Sequence, residues 1–240
     1  MILMTPFILT MAIYIGAAVI PAVFLMKKIY ELDSYEKEPP QLLKACVVRG
    51  IYAALLAIVL EIIGQTAMGL ARITPESKLY VMILAFGVVA VAEEGAKMFF
   101  LYRLTWRSPS FNYRFDGIVY SAFVSLGFAA FENVKYVFSY GLTVAFPRAV
   151  LAIPGHLGFA IVFGYFYGRA RMAANYGQDS RAKANLITGY LCAVFLHGFY
   201  DTCAMTGTKQ ATVVFVVFVA LMYLFIIRLV KKESRTNIPV

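Results

Sequence analysis

The sequence predicts an all-α fold: a polytopic transmembrane helical bundle of about seven spans, forming one integral-membrane domain over residues 1–240. Three observations carry this prediction. Of the 240 residues, 61% are hydrophobic and only 15% are charged, against about 25% charged in a soluble domain. The apolar residues fall in blocks close to the roughly 20 residues that a helix needs to cross a bilayer. Lysine and arginine also alternate between connections. From the N-terminus, successive connections hold 0, 4, 2, 3, 1, 4, 1 and 4 of them, or fifteen on one side and four on the other.

The runs lie near 5–26, 46–70, 79–102, 116–138, 148–168, 185–206 and 211–230. No basic residue precedes the first run and no clear cleavage site follows it, so it reads as a retained helix and not a signal peptide. The positive-inside rule then puts the N-terminus outside and the C-terminus in the cytoplasm. The net charge of +9 is accounted for by these cytoplasmic connections, so the expected partner is the lipid bilayer and not nucleic acid. Cys46, Cys192 and Cys203 lie in apolar runs with neither ligand spacing nor a disulfide framework. The first connection, Tyr30 to Pro40, is a dense patch of mixed charge, and its Pro39-Pro40 pair ends any preceding helix.

The third run carries Glu93, Glu94 and Lys97 among apolar neighbours. A charge at mid-membrane costs at least about 2.5–3.5 kcal/mol. Lys97 lies at i+4 from Glu93 and i+3 from Glu94, so either acid can pair with it. One lysine neutralises one acid and leaves the other to a second partner, a proton, a metal or a substrate. The fourth run offers Glu132, which can pair with Lys135 at i+3 and shares a face with Tyr136 at i+4. In the fifth, Pro154 frees a carbonyl one turn earlier and lets the helix bend, with His156 at the weak point. In the sixth, His197 and Asp201 are i,i+4, so the carboxylate can orient the imidazole. Glu61 and Asp116, near span ends or isolated, are read as structural.

At about 1.5 Å per residue, Glu132, His156 and His197 fall near one level in the outer half of the membrane. Glu93 and Glu94 are expected some four to six residues deeper. Buried carboxylates and imidazoles around a wet cavity suit hydrolysis, with a glutamate as base and then acid. An imidazole can hold the oxyanion. There is no Gly-x-Ser-x-Gly, and no Cys shares a face with His197, so water is the expected nucleophile and no cofactor is required. Zn²⁺ is the alternative, since it accepts His and carboxylate ligands, although no His-Glu-x-x-His is present. A proton-coupled carrier or binding protein using the same residues is the non-enzymatic alternative.

The ordered set Glu93-Glu94-x-x-Lys97, Phe131-Glu132-Asn133-x-x-Tyr136, Pro154-Gly155-His156 and His197-x-x-x-Asp201, on successive spans, resembles the PrsW family of polytopic bacterial intramembrane proteases. The Tyr35-Glu36-Lys37-Glu38-Pro39 segment is similar as well, and the resemblance covers about residues 30–205. It implies kinship with CAAX-processing proteases and bacteriocin-immunity proteins, and an endopeptidase that works by glutamate-activated water. Glu93 and Glu94 would be the catalytic pair, with Glu132, His197 and His156 beside them and Asp201 as orienter or oxyanion partner. Lys97, Lys135 and Tyr136 would support them. The implied partner is a membrane-anchored protein substrate, such as an anti-sigma factor whose cleavage starts a stress response, in a bacterial inner or plasma membrane.

Overall fold

A computed structural model describes residues 4–77, 79–236 and 238–240. Lys78, one of the basic residues of the second connection, lies outside the described residues. Among the described residues seven helices follow one another. They are α1 (Met4–Leu32), α2 (Pro40–Leu70), α3, α4 (Arg114–Tyr140), α5, α6 (Asp179–Thr206) and α7 (Lys209–Thr236). Helix α3 begins at Tyr80–Met82, widens into a π-helical stretch over Ile83–Ala90 and continues as Val91–Thr105. Helix α5 starts with short turns from Leu142, passes through a π-helical stretch at Arg148–Ala152 and runs on as Ile153–Asn175.

Five of the helices are long and apolar enough to cross a membrane: α1, α2, α4, α5 and α7. The other two, α3 and α6, carry Glu93, Glu94, Lys97, His197 and Asp201. Glu132 and His156, by contrast, lie on α4 and α5, two of the five apolar helices. Helix α4 is the least apolar of the five and the most buried. It is surrounded by protein, so its faces need small and complementary side chains more than lipid-soluble ones.

Glycines set the α4–α5 crossing. A Cβ at Gly117 would lie 2.6 Å from the Gly168 nitrogen, and one at Gly164 would lie 2.6 Å from the Gly117 carbonyl oxygen. Ser121 and Ser125 donate across the same contact to the carbonyls of Ala160, at 2.9 Å, and His156, at 3.0 Å. These bonds fix the height of His156 against α4.

Pro154 acts as its chemistry requires. It lacks the N–H that would bond the Val150 carbonyl, and the π stretch lies immediately before it. The Tyr223 hydroxyl from α7 donates to the freed Val150 carbonyl at 2.9 Å and approaches that of Leu151 at 3.3 Å. Pro39-Pro40 do more than end a helix: Pro40 is the first residue of α2, where its fixed φ and missing N–H carry no penalty.

One end of the bundle gathers the first connection, the third connection and the C-terminal tail. Asn112 Nδ2 donates to Glu36 Oε2 at 2.9 Å, and Arg114 pairs with Glu233 at 2.7 Å. The Val240 N–H donates to the Asn112 carbonyl at 2.9 Å, and the Ser234 hydroxyl to that of Leu32. Arg171, in the last turns of α5, lies 5.8 Å from the centre of the Trp106 ring. The basic-rich connections therefore share one end of the bundle, as an odd number of crossings requires. Asp116 caps α4 at this end, its Oδ2 accepting the N–H groups of Asn112 at 3.0 Å and Tyr113 at 2.7 Å.

Candidate active site

Four helices bring the polar residues together. Glu93, Glu94 and Lys97 stand in the turns of α3 just past its π stretch, and they are 4%, 5% and 5% exposed. Lys97 Nζ is 2.8 Å from Glu94 Oε1 and 3.2 Å from Glu93 Oε2, so the helical spacing delivers both pairs. The Phe128 ring lies 3.9 Å from the same ammonium, an attraction strengthened where water is excluded.

The second acid finds its partner in α6. His197 Nδ1 is 2.9 Å from Glu94 Oε1, and Nε2 is 3.3 Å from Asp201 Oδ2 and 3.9 Å from Glu93 Oε2. Carboxylates therefore flank both ring nitrogens. Phe159 stacks on the imidazole, with centroids 4.9 Å apart and planes at 19°. The adjoining Gly198 lets α3 approach, since a Cβ there would lie 2.4 Å from Phe86 of the π stretch.

His156 is held from both sides. Its Nε2 is 3.0 Å from Glu132 Oε2 and its Nδ1 is 3.2 Å from Lys97 Nζ. A carboxylate only accepts and an ammonium only donates. The proton is therefore on Nε2, and Nδ1 turns its lone pair to Lys97.

Two expectations need correction. Glu132 pairs with Arg148, at 2.9 Å, and with His156, not with Lys135. Lys135 stays at an exposed position with its ammonium 5.4 Å from the Tyr136 ring centre. A guanidinium reaching in from α5 matches the carboxylate better than an i+3 lysine whose flexible head can remain hydrated. The expected depth gap also closes: donor atoms of Glu93, Glu94, His156 and His197 all lie within 4.8 Å of one another. A π helix fits more residues into each turn, so counting 1.5 Å per residue along α3 overstates the depth of Glu93. In addition, α4 extends to Tyr140 and α5 begins before residue 148, which lowers Glu132 and His156 from the end of the bundle.

The cluster lines a cavity of about 590 Å³. Glu93, Glu132, His156, His197 and Asp201 face it, together with Glu61, Lys135, Tyr136 and Arg148. Glu94 instead borders a small void behind, beside Met98 and Leu101. The cavity reaches Gln65, Pro147, Met205 and Thr212, near the connections that are poor in basic residues. Glu61, read from sequence as structural, is thus a wall residue. Arg148, the one basic residue of the fourth connection, carried a signal only in its position at the start of an apolar run. Ser125 and Phe128 have no signal beyond their place on a helix face.

Two histidines and two carboxylates are a donor set of the type Zn²⁺ accepts, and their compactness would allow it. Lys97, however, occupies the same ground. Its ammonium touches both glutamates and takes the one lone pair that His156 has to offer. Like unit charges 4 Å apart repel by about 4 kcal/mol even at an effective dielectric of 20, and a divalent ion doubles this. With Lys97 in place, these residues do not fit a metal ion.

Comparison with known proteins shows the family. The family described as "PrsW family intramembrane metalloprotease" matches residues 38–227. The protein called "Protease PrsW" of Oceanobacillus iheyensis is 31% identical over 224 residues, covering 93% of this chain and 97% of its own length. The "Protease PrsW" of Geobacillus kaustophilus is 32% identical over 187 residues, covering 78% of this chain and 77% of its own. That of Bacillus subtilis is 28% identical over 223 residues, covering 93% and 96%. No solved structure matches.

Proposed function

This chain belongs to the PrsW family of intramembrane proteases, and from that premise we propose that it cuts a membrane-anchored protein with water activated by Glu93. The observation that supports this choice is the division of the acid pair. Glu93 lines the cavity, whereas Glu94 is turned away and committed to Lys97 and His197. Glu93 accepts a proton from cavity water as the water oxygen attacks the peptide carbonyl carbon. The carbonyl oxygen becomes an oxyanion, to which the His197 Nε2–H donates as it gives up its longer, 3.3 Å contact with Asp201. Glu93 then passes the proton to the amide nitrogen as the C–N bond breaks, leaving a carboxyl group and an amine. General acid–base work of this kind contributes about 10²–10⁴-fold, and one oxyanion donor about 10²–10³-fold. Asp201 orients His197, and Lys97 holds the two glutamates at their spacing.

The protease relatives favour hydrolysis over a carrier that would use the same Glu and His residues. The substrate proposed is a regulatory protein with one membrane span, such as an anti-sigma factor, which would place the enzyme in stress signalling. The proposed orientation puts the N-terminus outside and the C-terminus in the cytoplasm, so the cavity lies towards the outer surface.

A metal-dependent hydrolase with the same residues is the second reading: it requires Lys97 to leave the two glutamates and His156, and the compact donor set favours it once that happens. Prolonged chelation separates the two. The glutamate reading expects purified protein to keep its activity and to contain far less than one zinc per chain. Loss of activity with chelator and recovery with Zn²⁺ would replace it by the metal reading.

A further inference from the structure

Arg148 is the first residue of the π stretch in α5, and its side chain is 16% exposed. Three residues of α4 grip its guanidinium. Nε donates to Asn133 Oδ1 at 2.8 Å and Nη2 to Glu132 Oε2 at 2.9 Å. The flat face lies 3.8 Å from the centre of the Tyr136 ring. Asn133 is itself anchored, its Nδ2 donating to the Ala18 carbonyl of α1 at 2.9 Å. The Glu132 oxygen that accepts from Arg148 is the one that accepts from His156 Nε2.

We propose that Arg148 is a positioning residue for the proteolytic site: it locks Glu132 so that His156 keeps its proton on Nε2 and presents Nδ1 to Lys97. This inference rests on the reading of Glu93 as the base, because Lys97 is what Nδ1 holds between Glu93 and Glu94. The π stretch is part of the device. In an unbroken α-helix, residues eight apart are rotated by about 80°. A stretch with more residues per turn brings Arg148 and His156 back towards one face, where one carboxylate serves both. A lysine cannot replace the guanidinium here, since it lacks the planar fork that reaches Glu132 and Asn133 together while stacking on Tyr136.

The test uses the full chain in liposomes with a tagged single-span substrate. It also uses ¹⁵N-histidine labelling, which is practical because the chain has two histidines. Arg148→Ala is expected to lower kcat by about 10–100-fold, as loss of an outer partner of a functional histidine does, with KM little changed. Added guanidinium ion should restore part of the rate. Arg148→Lys, which preserves the charge and guards against loss of folding, should fall between. The ¹⁵N spectrum should show His156 Nδ1 unprotonated in the parent chain and partly protonated in both variants. An unchanged kcat, or a lowered kcat with the His156 spectrum unmoved, would overturn the positioning role. If the parent chain cleaves nothing, the proteolytic reading fails instead, and the His156 spectrum still decides what Arg148 does.

Discussion

The adjacent carboxylates of α3 are chemically unlike because of what each touches. Glu94 has two close partners, Lys97 at 2.8 Å and His197 at 2.9 Å, and Glu93 has one, Lys97 at 3.2 Å. Removing one partner from a buried ion pair costs about 3–5 kcal/mol because the remaining charge is stranded. Glu94→Gln is therefore expected to lower thermal stability in detergent by that order, and Glu93→Gln by distinctly less, although both abolish cleavage. Equal melting temperatures for the two variants would contradict the division of roles. The spacing of Glu93, Glu94 and Lys97, and of His197 and Asp201, was legible in the sequence because partners on one helix obey i,i+3 and i,i+4 rules. The pairing of Arg148 with Glu132 was not, because they come from different helices and nothing in a linear pattern states how two helices are turned towards each other.

At the scale of elements, the seven runs were legible because burial in lipid demands long apolar stretches. The two π stretches were not, since hydropathy reports which residues are apolar and not how many fill a turn. The depth of Glu93 was misjudged for that reason. The connection between α1 and α2 also has a character that its composition conceals. Asp33 and Glu38 look like solvated charges, yet they are 0% and 2% exposed. Burial pushes Asp33 up to about 6, against the pull of Lys37. Burial pushes Glu38 up to about 7, although the Tyr120 hydroxyl donates to it. Glu36 adds to both shifts, and Asp116 from α4 also faces Glu38. Unfolded, the two carboxyls would titrate near 3.9 and 4.3, so the folded chain binds more protons between about pH 4 and 7. Stability then falls as pH rises through that window. Melting temperature should drop across it, and the double variant Asp33→Asn, Glu38→Gln should flatten the slope. A slope unchanged in that variant would count against these two groups.

Seen whole, the molecule divides into a tightly tied end and an end that leads to the cavity. The tied end gathers the basic-rich connections and the tail around Asn112, Arg114 and Glu233. The cavity of about 590 Å³ reaches the opposite end through Gln65, Pro147, Met205 and Thr212. In the orientation proposed from the positive-inside rule that end is the outer one, which would give water the shorter path to Glu93 and put the cut near the outer boundary of the substrate's span. The most direct measurement reconstitutes the parent chain and Glu93→Gln in liposomes with a tagged single-span substrate and maps any new terminus by mass spectrometry. The expected result is a cut in the outer half of the substrate's span with the parent chain, and at least about a hundredfold loss of rate in the variant. Cleavage by Glu93→Gln at the parent rate would contradict the assignment of Glu93 as the base.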